Sequence, residues 1–311
     1  MAAEKVTEYV THRSLCAIPK ELLEKNSPKL DPTKNILDET FANHFTKEKI
    51  VEVTFLDTLK DKPADSKDIS KQKNGSVWGW IKDGTHLYIA VKGGVWASNC
   101  EKMFKEFSSL KTIHFDKNFH TENVTSMRYM FWGCNNLTHL DLSHFDTSNV
   151  TDMRSMFSLC RSLTQINLKN FDTSNVTDMC GMFFNCIRLT QLDLSHFDTS
   201  NVTNMCDMFS ICRNLTQLDI SHFDTSNVTD IHHMFFNCGS LTQLDLSHFD
   251  TSNVTNMRNM FSNCTNLTNL NTLSFNTEKV IDQQDMFEGV PKKAIKKKKI
   301  SFINNFFEQI R

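Results

Sequence analysis

Three sets of side chains in this 311-residue chain have the types needed for chemistry, and each recurs at 26 residues or a multiple of it. Cys134, Cys160, Cys186, Cys212, Cys238 and Cys264 stand 26 residues apart. Thiols bind metals or exchange disulfides, but neither C-x-x-C nor a Cys/His ligand spacing accompanies these six, so they read as a ladder of small, buried, reduced residues. In units stacked helix on helix they would lie roughly 8–10 Å apart, too far for a disulfide. His144, His196, His222 and His248 precede Asp146, Asp198, Asp224 and Asp250 by two residues. That pairing invites a hydrolase reading, yet no repeat places a nucleophile beside it. An unperturbed imidazole titrates near pH 6.5, so acidification through that range would offset the acidic array and weaken its cation dependence or alter self-association below about pH 6. Finally, Asp141, Asp193, Asp219 and Asp245 share one register. Carboxylates stacked at strand spacing repel, which favours a bound cation or raised pKa values. Calcium takes such ligands, but the G-G-x-G-x-D pattern of calcium-binding repeats is absent. No metal site, cofactor or catalytic residue is assigned, and the chain reads as a non-enzyme.

The element that positions all three sets is a sentence close to N-V-T-x-M-x-x-M-F-x-x-C-x-x-L-T-x-L-D-L-S-x-F-D-T-S. It starts at Asn123, Asn149, Asn175, Asn201 and Asn227, with a worn copy from Asn253. A fixed period of this length marks units that cannot bury their apolar faces alone and must stack. In the copy from Asn149, Met153, Met156, Phe157 and Cys160 fall at i, i+3, i+4, i+7, predicting one face of a short helix. Leu163, Ile166 and Leu168 predict a short strand entered from a turn. Phe-Asp-Thr-Ser-Asn is turn and capping chemistry and requires no ligand. The expected architecture is an α/β repeat: a leucine-rich-repeat-type solenoid with parallel strands on one face and short helices on the other.

Around the array, residues 1–46 read as a helical preface, with candidate turns at Pro19–Lys25 and Ile36–Phe45. Residues 47–99 read as an N-terminal β cap. Ile50–Phe55 alternates like a strand, Asp57–Lys73 reads as a solvated loop with little fixed structure, and Ser76–Ile81 and His86–Val91 flank Asp83-Gly84, a hairpin cue. Trp78, Trp80, Leu87 and Ile89 would cover the first apolar edge of the array. Residues 100–290 form the array, beginning with a degenerate unit around Met103-Phe104. Residues 291–311 form a basic tail, either a capping helix or a membrane-surface anchor through Lys292, Lys293, Lys296, Lys297, Lys298 and Lys299. A run of lysines alone is a weak argument for nucleic acid. The net charge of −2 hides an acidic array, with 14 Asp/Glu against 7 Lys/Arg between Asn123 and Glu278, and a tail carrying six lysines. No apolar run spans a bilayer, and the first twenty residues lack a signal-peptide core.

The repeat, together with Val77-Trp78-Gly79-Trp80, Leu87-Tyr88-Ile89-Ala90 and Gly93-Gly94-Val95-Trp96-Ala97-Ser98-Asn99 ahead of it, resembles the BspA-like leucine-rich-repeat surface proteins. The resemblance covers roughly residues 47–290. It implies a surface-exposed, adhesive, non-enzymatic array, although no leader or wall-sorting tail is read here, and it carries over no binding residue. The candidate binding surface follows instead from strand alternation: one outward row of His139, Gln165, Gln191, Gln217, Gln243 and Asn269, and a second of Asp141, Asn167, Asp193, Asp219, Asp245 and Asn271. A protein or glycan partner on these rows, at a cell surface or in the medium, is one expectation. An intracellular interaction scaffold, membrane-associated through the tail, is the other. A plain solvated face is the bland alternative to both.

Overall fold

The structure, a computed structural model, describes residues 35–115, 117 and 119–296, all within the unit spanning Pro32–Arg311. The candidate turn at Pro19–Lys25, Lys297, Lys298 and Lys299 lie outside the described residues. The amino-terminal part contains β1 (Ile36–Leu37), β2 (Glu52–Leu56), β3 (Lys67–Asp68), β4 (Val77–Lys82), β5 (His86–Val91), β6 (Val95–Ala97), β7 (Thr112–His114) and β8 (Phe119–His120). One sheet runs β3-β4-β5-β2-β7 and another β1-β6-β8. The β4–β5 hairpin forms as the Asp-Gly cue predicts, with Asp83 and Gly84 both at positive φ (54° and 73°). Gly79 is required where it stands, because a Cβ there would come within 2.9 Å of Ile69 and Phe45 side-chain carbons.

Several expectations for this part are corrected. Ile36 and Leu37 are buried and pair in parallel with Trp96 and Ala97, so the predicted helix gives way to a strand followed by one 3-10 turn, Phe41–His44. The polar stretch to Lys73 is partly fixed: Ile69 is fully buried, and Asp68 accepts hydrogen bonds from the Ser70 and Gly75 N–H groups. Trp80 stacks on Tyr88 at 5.6 Å and Trp78 lies under Lys62. Of the four residues expected to cover the array, Leu87 and Ile89 join the main hydrophobic cluster, together with Val77, and Trp78 and Trp80 do not.

Asp38 ties this region together. Burial alone would raise its pKa, but the Lys73 ammonium at 2.7 Å and the Thr40 N–H and hydroxyl outweigh that and hold it at about 2. A carboxylate depressed from 3.8 stabilises the fold above its unfolded value, and the contribution disappears as pH falls through about 2. Asp38→Asn is therefore expected to cost about 1–2 kcal/mol at pH 7, Lys73 being half exposed. Urea titrations of both proteins should converge as pH drops from 4 towards 2.

The array contains β9 (His139–Asp141), β10 (Gln165–Asn167), β11 (Gln243–Asp245), β12 (Asn269–Asn271) and β13 (Ile295–Lys296). Each array pairing is parallel, and in the pairs between repeats the register is one repeat: Gln165 opposite His139, Gln243 opposite Asn269. The expected continuous sheet is interrupted. β9–β10 and β11–β12–β13 are separate, and Gln191–Asp193 and Gln217–Asp219 carry no strand. An unbroken ladder runs along another edge, through bridges joining Ser126, Asp152, Asp178, Asn204, Asp230, Asn256 and Asp282 in succession.

The predicted helices are absent; the described residues contain no α-helix. Ser155 and Leu159 have φ of 53° and 64°, which no right-handed helix accommodates, and the same two positions are left-handed in the other units. The Met-Phe segment is a run of β-turns. Alternate N–H groups (Met153, Ser155, Phe157, Leu159) donate to Asp178, Cys180, Met182 and Phe184 carbonyls of the next coil, while Met156, Ser158 and Cys160 donate back three residues. Side chains still face inward at the spacing read as helical. Met153, Met156, Phe157 and Cys160 are all buried, and phenylalanines from Phe104 to Phe287 stack face to face at 5.5–6.0 Å.

Polar residues staple the coils. Thr147 Oγ1 donates to the Asp172 carbonyl of the following coil, Asn175 Nδ2 to the Ser148 carbonyl of the preceding one, and Asp172 caps the Ser174 N–H. The six ladder cysteines are free thiols. Their neighbours stand one coil away rather than one helix diameter, and each Sγ–H donates to a phenylalanine carbonyl of the preceding coil, as from Cys160 to Phe131 at 3.2 Å. Burial pushes the thiols of Cys212 and Cys264 up to about 12, leaving them inert at neutral pH.

Candidate functional site

Two polar surfaces emerge, one anticipated and one not. On the strand side, His139, Gln165, Gln191, Gln217 and Gln243 are exposed in one row, and Asp141, Asn167, Asp193, Asp219 and Asp245 in the other. The two rows differ in what they already hold. The carboxylates of Asp141, Asp193, Asp219 and Asp245 each accept the N–H of the serine two residues on, at 3.0 Å. Those serine N–H and hydroxyl donors pull all four pKa values down, so the expectation of raised values is overturned and the row stays ionised. Asn167 interleaves, donating to Asp141 at 3.1 Å. By contrast, none of the four glutamine side chains hydrogen-bonds to a described residue. The histidine register forms no dyad with its aspartates: His222 and His248 donate from Nε2 to the Leu194 and Ile220 carbonyls at 2.9 Å, one coil back. Lys292, Lys293 and Lys296 are exposed at the end of the array, with Lys296 in β13 paired to β12, and the remainder of the expected capping helix or anchor, from residue 297 onwards, lies outside the described residues.

The second surface follows the unbroken ladder. The residue after each N-V-T caps the N–H two residues on: Asp152 caps Arg154, Asp178 caps Cys180, Asn204 caps Cys206 and Asp230 caps His232. The capped positions line up through the coils as Arg128, Arg154, Cys180, Cys206, His232 and Arg258. Arg154 is buried between two coils, with Nη2 at 2.8 Å from Asp152 and Nε at 3.4 Å from Asp178. Burial pushes Asp178 above the usual carboxylate range while the Arg154 guanidinium pulls it back. Cys180 and Cys206, one coil apart, are paired as a disulfide, with Cα atoms 4.7 Å apart. Next to them Asp207 is buried, and His232 lies between Asp230 and Asp207. This surface was missed because the sequence reading followed positions that repeat. Its signal was a position whose letter changes in an otherwise fixed sentence, from M-R-S-M to M-C-G-M, M-C-D-M and I-H-H-M.

Residues 98–194 and 184–300 match, in tandem, the family model described as "Mycoplasma protein of unknown function, DUF285". The chain belongs to this family. The DUF285 matches span the array from its degenerate first unit to its last strand, so both polar surfaces lie inside them. No curated protein matches this DUF285 chain. Among solved structures, a leucine-rich repeat protein from Bacteroides ovatus is similar over 80% of this chain and 91% of its own, at 15% identity and a TM-score of 0.21.

Proposed function

We propose that the array is a leucine-rich-repeat-type solenoid of the BspA-like kind and acts as a non-enzymatic recognition module, gripping a protein or glycan partner through the glutamine row. One observation carries this reading. Gln165, Gln191, Gln217 and Gln243 are exposed, share one register, and hold no hydrogen bond to a described residue, while their aspartate neighbours are engaged in turns. Amide side chains present a donor and an acceptor at each coil, the chemistry that pairs with peptide groups or sugar hydroxyls. The resemblance favours an adhesive setting at a cell surface. The test uses an array of defined glycans and immobilised proteins probed with the full chain. For whatever probe the protein binds, Gln165→Ala/Gln191→Ala/Gln217→Ala is expected to weaken affinity at least tenfold with an unchanged melting curve, each lost bond being worth about 1 kcal/mol. Unchanged affinity in the triple variant removes the glutamine row as the binding face.

A further inference from the structure

The Cys180–Cys206 disulfide lies against a set of metal-ligand side chains. Cys206 Sγ, an Asp207 carboxylate oxygen and a His232 ring nitrogen all lie within 4.8 Å of one another. Bonds to Zn2+ of about 2.0–2.3 Å put tetrahedral ligand atoms roughly 3.3–3.8 Å apart, so side-chain rotation of about 1 Å suffices to close them on an ion. His232 is already oriented for it. Its Nδ1 meets Asp230 Oδ1 at 2.6 Å, while Nε2 faces Asp207 Oδ2 at 3.8 Å. A histidine whose one nitrogen donates to a carboxylate presents the other as a lone pair, the arrangement that fixes tautomer and ring angle in carboxylate–histidine–metal sites. The backbone holds the pair together as well, since the Asp207 N–H donates to the His232 carbonyl at 2.9 Å.

We propose that Cys206, Asp207 and His232 form a Zn2+ site gated by the Cys180–Cys206 disulfide. With the S–S bond intact, Cys206 has no thiolate to offer. A dithiol reductant opens the gate: the reductant's two S–H groups are oxidised to its own disulfide, and the Cys180 and Cys206 sulfurs each take one hydrogen. Zn2+ then displaces the Cys206 thiol proton to solvent and is held by one sulfur, one nitrogen and one oxygen, with water in the fourth position. A soft thiolate beside an imidazole selects zinc over calcium or magnesium, whose ligands are all oxygen. Cys180 serves as the lock, and Asp230 as the residue that positions His232.

The full chain is titrated with Zn2+ against a chromophoric chelator, and with Co2+ as a spectroscopic stand-in. After reduction by dithiothreitol and desalting without air, one ion per chain is expected, with a thiolate-to-Co2+ charge-transfer band. In the oxidised chain, binding should be at least 100-fold weaker and the band absent. Cys206→Ser, Asp207→Asn and His232→Asn are each expected to weaken binding at least tenfold. Cys180→Ser retains all three ligands and frees Cys206, so it should bind the ion without reductant; this variant keeps the test decisive if a ligand substitution disturbs its coil. Equal binding by oxidised and reduced chains, a thiolate band that survives Cys206→Ser, or a folded Cys180→Ser that takes up no metal would each overturn the proposal.

Discussion

Arg154→Met is expected to cost about 3–5 kcal/mol of stability at pH 7, more than any surface substitution in the chain. The guanidinium is buried between Asp152 and Asp178, and removing it leaves two desolvated carboxylates in adjacent coils facing one another without a cation. The pH dependence has a definite sign. Burial already raises Asp178 and Arg154 restrains it, so the variant raises it further. A carboxyl whose folded-state pKa is raised costs stability while ionised and ceases to do so once protonated. The deficit should therefore be largest near neutrality and shrink as pH falls through the raised Asp178 value. Urea unfolding at pH 7 and pH 5 measures both; a deficit under about 1 kcal/mol at pH 7, or one identical at the two pH values, contradicts this account.

Phe209→Ala is expected to cost about 3–5 kcal/mol and to change the shape of the unfolding transition. Phe209 is fully buried near the middle of the array, stacked on Phe183 at 6.0 Å and on Phe235 at 5.7 Å. In a stack whose stability is a sum of unit and nearest-neighbour terms, one truncation weakens two interfaces at once and uncouples the units on either side. Thermal unfolding followed by circular dichroism should split or broaden, and Phe209→Leu should fall between variant and parent. A single sharp transition within about 1 kcal/mol of the parent would show that the stack does not depend on its ring column.

How far the sequence could be read depends on which interactions leave a periodic trace. Val150, Met153, Met156, Phe157, Cys160 and Leu163 are buried as their recurrence implies, because an inward position admits few residue types. The Asp83-Gly84 turn was legible because positive φ restricts residue choice. The helix expectation failed because i, i+3, i+4, i+7 records only which side chains face inward, and a run of β-turns bonded to the next coil produces the same pattern. The discriminating signal was present in Gly133, Gly181, Asn185, Asn237, Asn259 and Asn263, residue types that tolerate left-handed backbone. Ser155, Leu159 and Ile211 at the same positions obscured it. Of the candidate sites, the outward rows were legible because alternate positions of the segment face outward whether it forms a strand, as at His139–Asp141 and Gln165–Asn167, or none, as at Gln191–Asp193 and Gln217–Asp219. Their hydrogen bonding was not, since the serines that engage Asp193 and Asp219 also read as ordinary turn residues. The cluster of Cys206, Asp207 and His232 could be found only once neighbouring coils were known to lie 4.7 Å apart at Cys180 and Cys206.

That coil-to-coil step sets a valency. Successive glutamines repeat at the pitch of the backbone, so on the proposed reading a ligand with its own repeating groups would meet several equivalent footholds and gain avidity from each coil it spans. Equivalent footholds carry no address, and a long ligand can slip by one coil without losing a contact. The departures from the repeat are the landmarks: His139 and Asn167 mark one end, and Asn269 and Asn271 the other. Those departures, and not the recurring letters, would tell one alignment from the next.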